Sequence, residues 1–277
     1  MYTLNCKGKV LLIDQPIVMG IINATPDSFY SSSRKQSLEA VVNQAKNMLA
    51  SGATMLDIGG QSTRPGSVKI DEQVEADRVV PAISAIHSQF PEAIISVDTF
   101  YASVAKAAVK AGASIVNDIS GGVMDEAMLP TVGSLGVPFI CTHMKGEPAT
   151  MHQNPQYEDV TREVLDFFIE RLAACKKAGI VDVIVDPGFG FGKTISHNFT
   201  LLHNLSFFNI VDKPLLLGIS RKGTIYKTLG ITAEEALNGT TVLHTIGLMN
   251  GASILRVHDV KEAVEAIKLV ACTQKKE

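Results

Sequence analysis

The chain has no tryptophan, few aromatic residues (6%) and only four cysteines. Cys6, Cys141, Cys175 and Cys272 lie far apart and form no Cys-x-x-Cys pair, so they are expected to be reduced thiols. No basic segment followed by a long apolar one opens the chain, and no apolar run approaches the length of a membrane span. A soluble, cytoplasmic protein is the expectation. Positive charge is not in excess either: Lys and Arg number 25 against 28 Asp and Glu, for a net charge of -3. That balance argues against a general nucleic-acid binder, whose footprint would be basic. It leaves a small anionic substrate open, because local charge decides that. No linker or low-complexity tract divides the 277 residues, so one domain is expected over 1–277, with a hairpin in 1–16 and the main fold in 17–272.

What the chain does have is a repeated unit. Eight apolar runs each end on a polar residue: at Asn23, Asp57, Asp98, Asn117-Asp118, His143, Asp186, Ser220-Arg221-Lys222 and Arg256 with His258. A short continuous apolar run reads as a strand buried on both faces, the habit of a parallel sheet covered by helices. Helical stretches are expected over 37–50, 71–90, 101–111, 126–135, 157–178, 197–209, 233–250 and 260–271. Ser37 is a reasonable N-cap for the first, and Pro81 should kink or break the second. Residues 3–13 alternate around Lys7-Gly8-Lys9 and fit a β-hairpin able to plug one end of the fold.

Eight strand–helix units suggest an α/β fold of the (β/α)8 barrel type, whose C-terminal strand ends form the active-site face. An open doubly wound sheet alternates in the same way, but the chain carries no dinucleotide fingerprint. The polar punctuation would then converge on one mouth, which points to an enzyme rather than to a structural barrel.

Several segments carry chemistry beyond a turn or cap. Asn23 offers a neutral oxygen to a hard cation such as Mg2+, which keeps most of its waters and commonly bridges phosphates. The loop Gly59-Gly60-Gln61-Ser62-Thr63-Arg64-Pro65-Gly66 combines shaping residues with an anion-friendly set. Asp186-Pro187-Gly188-Phe189-Gly190-Phe191-Gly192-Lys193 lacks the ending of a Walker phosphate loop. It does place a carboxylate where two parallel N–H donors of a pterin or guanine edge could meet it. Ser220-Arg221-Lys222 and Arg256-Val257-His258 sit after strands seven and eight, where barrels often hold phosphate. His87, His152, His197, His203 and His244 show no metal-ligand spacing and are expected to be surface or packing residues.

Taken in order, these segments resemble the dihydropteroate synthases. The resemblance runs from about Ile17 to Asp259 and rests on seven motifs. They are Met19 to Phe29, Asp57-Ile58-Gly59-Gly60 with Ser62 to Gly66, Val97-Asp98-Thr99, Asn117 to Gly122, Asp186 to Lys193, Ser220-Arg221-Lys222 and Arg256-Val257-His258-Asp259. The chain departs from the common pattern at Gln61, at Tyr30-Ser31-Ser32-Ser33 and at Thr142.

The resemblance implies condensation of 6-hydroxymethyl-7,8-dihydropterin diphosphate with p-aminobenzoate, giving 7,8-dihydropteroate and pyrophosphate, with Mg2+. It implies that Asp98, Asn117, Asp186 and Lys222, with Phe191, hold the pterin. Arg256 and His258, with Asn23 through Mg2+, would hold the diphosphate. Phe29, Thr63, Arg64 and Pro65 would close over the reacting centre, and Ser220 would receive the p-aminobenzoate carboxylate. It also implies a homodimer. A pterin-binding methyltransferase domain and a silent pterin-binding paralogue are the rivals. Thr63 to Gly66 and the Ser-Arg-Lys segment argue against the first, and intact Asn23, Arg64, Lys222 and His258 against the second.

Overall fold

The hairpin comes first in the chain. Strand β1 (Tyr2–Cys6) pairs antiparallel with β2 (Lys9–Ile13), and Lys7 and Gly8 make the two-residue turn with φ of 56° and 89°. Positive φ at both turn positions gives the turn twist that matches two paired strands. The structure is a computed structural model, and it describes residues 1–24, 34–61, 69–147, 150–151 and 153–274.

Eight parallel strands follow: β3 (Ile17–Asn23), β4 (Met55–Gly59), β5 (Ile94–Asp98), β6 (Ile115–Asp118), β7 (Phe139–Thr142), β8 (Val183–Asp186), β9 (Leu216–Leu217) and β10 (Ile254–Val257). They form one sheet in the order β8-β7-β6-β5-β4-β3-β10-β9, and a parallel bridge between Val185 and Leu215 brings its two ends together. The ring is thus a nearly closed (β/α)8 barrel.

Helices α1 (Arg34–Ala50), α2 (Glu72–Gln89), α3 (Ala102–Ala111), α4 (Met128–Leu135), α5 (Val160–Lys177) and α6 (Ile195–His203) alternate with the strands. A 3-10 turn (Leu205–Val211) precedes β9, and α7 (Gly223–Leu229), α8 (Leu237–Met249) and α9 (Val260–Gln274) complete the set. Asp71 and Asp159 cap α2 and α5 by accepting backbone N–H bonds, and Thr194 with His197 forms a capping box on α6.

Two expectations fail locally. Helix α1 starts at Arg34, so Ser37 lies inside it rather than at its cap; Arg34, Lys35 and Gln36 are good helix formers and extend it. Helix α2 runs unbroken through Pro81. Burial of Val79, Ala82, Ile83 and Ile86 on one face offsets the missing N–H of proline.

Strand side chains alternate between the two faces, and the core divides accordingly. Val18, Ile22, Leu56, Ile58, Ile95, Val97, Val116, Phe139, Val183, Val185, Leu255 and Val257 point outward into one cluster with the helices. Met19, Met55, Ile115, Ile140, Ile184, Leu216 and Ile254 point inward and form a second cluster with Leu4, Cys6, Leu11 and Ile13 of the hairpin. The hairpin therefore seals the N-terminal end of the barrel, and an apolar floor fills its lower half.

Candidate active site

Two residues beyond that floor, the same period puts the next side chains on the inward face. From Met55, Ile94, Ile115, Ile140, Ile184 and Ile254 the step leads to Asp57, Ser96, Asn117, Thr142, Asp186 and Arg256. One step more on β5 reaches Asp98. A polar layer thus lies on the apolar one, facing the C-terminal mouth.

Arg256 organises one side of this layer. Its Nε donates to Asp57 Oδ2 at 2.6 Å and its Nη2 to Asp98 Oδ2 at 2.7 Å. Asn117 Nδ2 donates to the same Asp57 oxygen at 3.0 Å. Burial works against the Arg256 charge, but Asp57 and Asp98 outweigh it and hold the guanidinium above its ordinary pKa. Burial also pushes Asp98 up to about 7, although Arg256 pulls the other way.

The opposite side is built from the segment after β8. Asp186 Oδ1 accepts from Gly188 N at 2.8 Å, and burial raises this carboxylate against the pull of Lys222. Lys222 Nζ donates to Phe189 O at 2.5 Å and lies 4.4 Å from the centre of the Phe191 ring. Burial lowers the Lys222 pKa to about 8, opposed by Asp186. Asp186 and Lys222 meet over Gly218: a Cβ there would lie 3.4 Å from Asp186 Oδ2 and 3.9 Å from Lys222 Nζ.

Ser220 and His258 join the last two loops. The His258 amide donates to Ser220 Oγ at 3.2 Å, and the same oxygen lies 3.0 Å from His258 Nδ1, within hydrogen-bond distance. Burial, with Arg256, pulls the His258 pKa down to about 4. Arg221 does not share the mouth with its neighbours. Its φ of 52° turns it toward Asp259, which it grips through Nε (2.7 Å) and Nη2 (2.9 Å), and it also bonds Ala233 O and Glu234 O. Among the described residues of these two loops, Lys222 and Arg256 are therefore the cations at the mouth.

Residues 19–258 match a family model described as pterin binding enzyme. The chain is 44% identical over 269 residues to a dihydropteroate synthase of Escherichia coli (strain K12), covering 96% of this chain and 95% of that one. A Xanthomonas albilineans dihydropteroate synthase solved with 4-aminobenzoic acid is similar with a TM-score of 0.91 at 38% identity, covering 99% of both chains. The same enzyme in complex with 7,8-dihydropteroate gives 0.90 at 36% identity, covering 100% of both.

The chain belongs to the dihydropteroate synthase family.

Members of the dihydropteroate synthase family are transferases of folate synthesis, and the site residues expected from the sequence can be placed accordingly. Asp98, Asn117 and Arg256 are joined through Arg256 and Asp57, Asp186 and Lys222 converge on Gly218 with the Phe191 ring against the Lys222 ammonium, and Ser220 pairs with His258. Asn23 is at the exposed end of β3, in register with Gly59. Phe29, Thr63, Arg64 and Pro65 lie outside the described residues, as does His152. Among the described residues, no group of three or more His, Cys, Asp and Glu side chains gathers as a metal cage.

Two residues given no role by sequence reasoning prove central. Asp57 is fully buried between Arg256 and Asn117. The available signal was its place at the end of an apolar run, but β4 continues two residues past it and turns it inward. Asp118 shapes the turn after β6, accepting from Ser120 N, Ser120 Oγ and Gly122 N.

Proposed function

We propose that this mouth condenses 6-hydroxymethyl-7,8-dihydropterin diphosphate with p-aminobenzoate, giving 7,8-dihydropteroate and pyrophosphate. The observation that carries the reading is the convergence of buried Asp186 and half-buried Lys222 on Gly218, in the same polar layer as the Arg256 clamp. Asp186 is the carboxylate for the pterin's paired N–H edge, because its two oxygens match two parallel donors. Asn117 and Asp98 complete the polar wall, and Lys222 with Phe191 packs on the ring.

Breaking the C–O bond leaves positive charge on the pterin methylene, while the bonding pair departs with pyrophosphate. Asp98 faces the developing cation. Arg256 retains N–H donors beyond those used on Asp57 and Asp98, and it is assigned with His258 to the departing charge. The amine of p-aminobenzoate then forms the C–N bond and releases a proton, so no protein nucleophile is required. Ser220, at the start of α7, is placed for the p-aminobenzoate carboxylate. Phe29, Thr63, Arg64 and Pro65 are assigned to the loops that exclude water from the cation.

Asn23 fits Mg2+ as a single protein oxygen at an open strand end, the donor set of an ion that keeps its waters and rides on substrate phosphates. When bound, Mg2+ would supply neutralising charge to the diphosphate.

We further infer a homodimer. Val242, Ile246 and Met249 make an exposed apolar stripe along α8, with exposed Phe207 and Ile210 of the 3-10 turn as additional apolar surface. A cytoplasmic location is supported by the four free cysteines, three of them buried. Among the described residues, no helix is long and apolar enough to cross a membrane. Residues 1–277 are read as one domain because the hairpin shares the barrel floor.

The deciding experiment is pyrophosphate release from the dihydropterin diphosphate with Mg2+, with and without p-aminobenzoate. Release that depends on p-aminobenzoate and yields dihydropteroate is expected. Tight pterin binding without release would favour sequestration or methyl transfer instead.

A further inference from the structure

Lys193 closes the segment that follows β8, yet it does not reach the mouth. Its side chain is buried, with Nζ 2.8 Å from His143 Nδ1, 3.0 Å from Gly188 O and 3.0 Å from Phe191 O. A longer contact of 3.3 Å reaches His143 O. An ammonium has three N–H donors, so the three shortest contacts use them all. Burial, with Lys193 itself, holds His143 well below its ordinary pKa, so the ring is neutral, and an ammonium at 2.8 Å is matched by the tautomer whose Nδ1 accepts. Burial likewise lowers the Lys193 pKa, opposed by Asp186.

The amine therefore joins the end of β7 to both limbs of the 186–193 loop. The loop rests directly on β7: a Cβ at Gly188 would stand 1.9 Å from His143 O. Further braces hold its outer turns, with Gly190 N donating to Asn198 Oδ1 and Tyr157 Oη donating to Gly192 O, at 2.8 and 2.9 Å. Between the two carbonyls held by Lys193 stands Phe189, whose own carbonyl accepts from Lys222. Phe191, one of the two held residues, carries the ring under the Lys222 ammonium.

We propose that Lys193 is a positioning residue for pterin binding, fixing the Phe189 carbonyl and the Phe191 ring so that Lys222 is held over the pterin subsite beside Asp186. The inference rests on the assignment of Lys222 and Asp186 to the pterin. It separates Lys193 from the groups that touch substrate: the chemistry belongs to Lys222, and its placement to Lys193. Effects should therefore fall on the pterin substrate and on Lys222, while the p-aminobenzoate side, built on Ser220, is spared.

The test is steady-state kinetics of Lys193→Met, with Lys222→Ala and Tyr157→Phe beside it, over a range of pH. Lys193→Met should raise the KM for dihydropterin diphosphate about tenfold or more, since small misplacement of a binding group is costly. The KM for p-aminobenzoate should stay within about twofold of the parent, the scale of an untouched subsite. The alkaline limb of the pH profile should move upward as Lys222 gains solvent. Unchanged pterin KM with an unmoved limb would overturn the proposal, and so would equal losses for both substrates. If Lys193→Met does not fold, Tyr157→Phe decides: a smaller shift of the same pattern supports the proposal, and unchanged kinetics overturns it. Lys222→Ala tells the two levels apart. Near-normal activity in that variant removes the pterin assignment itself, whereas a severe loss with silent Lys193→Met removes only the positioning role.

Discussion

Arg256 and Asp57 belong to strands at opposite ends of the barrel sequence, yet Arg256 Nε lies 2.6 Å from Asp57 Oδ2. The last strand, β10, pairs with the first, β3, and β3 pairs with β4, so closure of the sheet brings the two together. Asp98, one strand further round, receives Nη2 of the same guanidinium. A single cation thus ties three strands at the level where the apolar floor gives way to polar chemistry. Among the described residues Asp57 Oδ1 has no hydrogen-bond partner, and Arg256 and Asn117 both bond the other oxygen, Oδ2.

Asp57→Ala should therefore damage both stability and turnover. Removing one member of a buried ion pair leaves the other uncompensated, at a cost of about 3 kcal/mol or more. Denaturant unfolding of the variant would measure the loss. An unfolding midpoint equal to that of the parent would show that Arg256 is held adequately by Asp98 alone.

Alanine at Asp186, Lys222 or Arg256 should each lower turnover by at least ~10²-fold, the scale of one lost electrostatic contact in a catalytic site. Folding controls by circular dichroism accompany the rates. A variant that folds and turns over near the parental rate would remove that residue from the site.

Lys222 also sets a pH dependence. Its pKa of about 8, lowered by burial, means that the charged amine is present below that pH and lost above it. Specificity for the pterin substrate should accordingly decline as pH rises through 8. Lys222→Arg keeps its charge in this range, so its profile should lose that decline, although an altered fork geometry lowers the absolute rate. A parental profile that stays flat through pH 9 would sink the assignment.

The strand–helix alternation was legible because each buried strand shows as an apolar run, and the eight polar endings marked the mouth. The carry-over of Asp98, Asn117, Asp186, Lys222 and Arg256 needed only those endings and the motif order. Asp57 was harder, because a run that ends at an aspartate does not say whether the strand ends there too. Its role depends on register with Ser96 and on a partner 199 positions away. Arg221 misled for a related reason. Adjacent residues on a turn can face opposite ways, and only its left-handed backbone reveals that it serves Asp259 while Lys222 serves the mouth. Pro81 shows the limit of local rules: packing on the barrel overrides a breaker.

Glu75 offers a separate test of how the mouth is supported. It lies buried in the first turn of α2, accepts from Thr99 Oγ1 at 3.1 Å, and packs under Gly60, where a Cβ would be 3.1 Å from its Cγ. Burial raises its pKa to about 8; Asp98 and Asp118 add to the rise, while Thr99 and Arg78 oppose it. The unfolded chain, with an ordinary value of 4.5, gives up this proton first as pH rises. Between those values the folded state binds more protons, so its stability must fall with rising pH, each unit being worth about 1.4 kcal/mol. Glu75→Gln keeps an acceptor for Thr99 and cannot ionise. Its Tm should gain on the parent progressively from pH 5 to pH 8, with little difference below pH 4.5. A gap that stays constant across that range would mean Glu75 is already charged in the folded protein, balanced by Arg78 and Thr99.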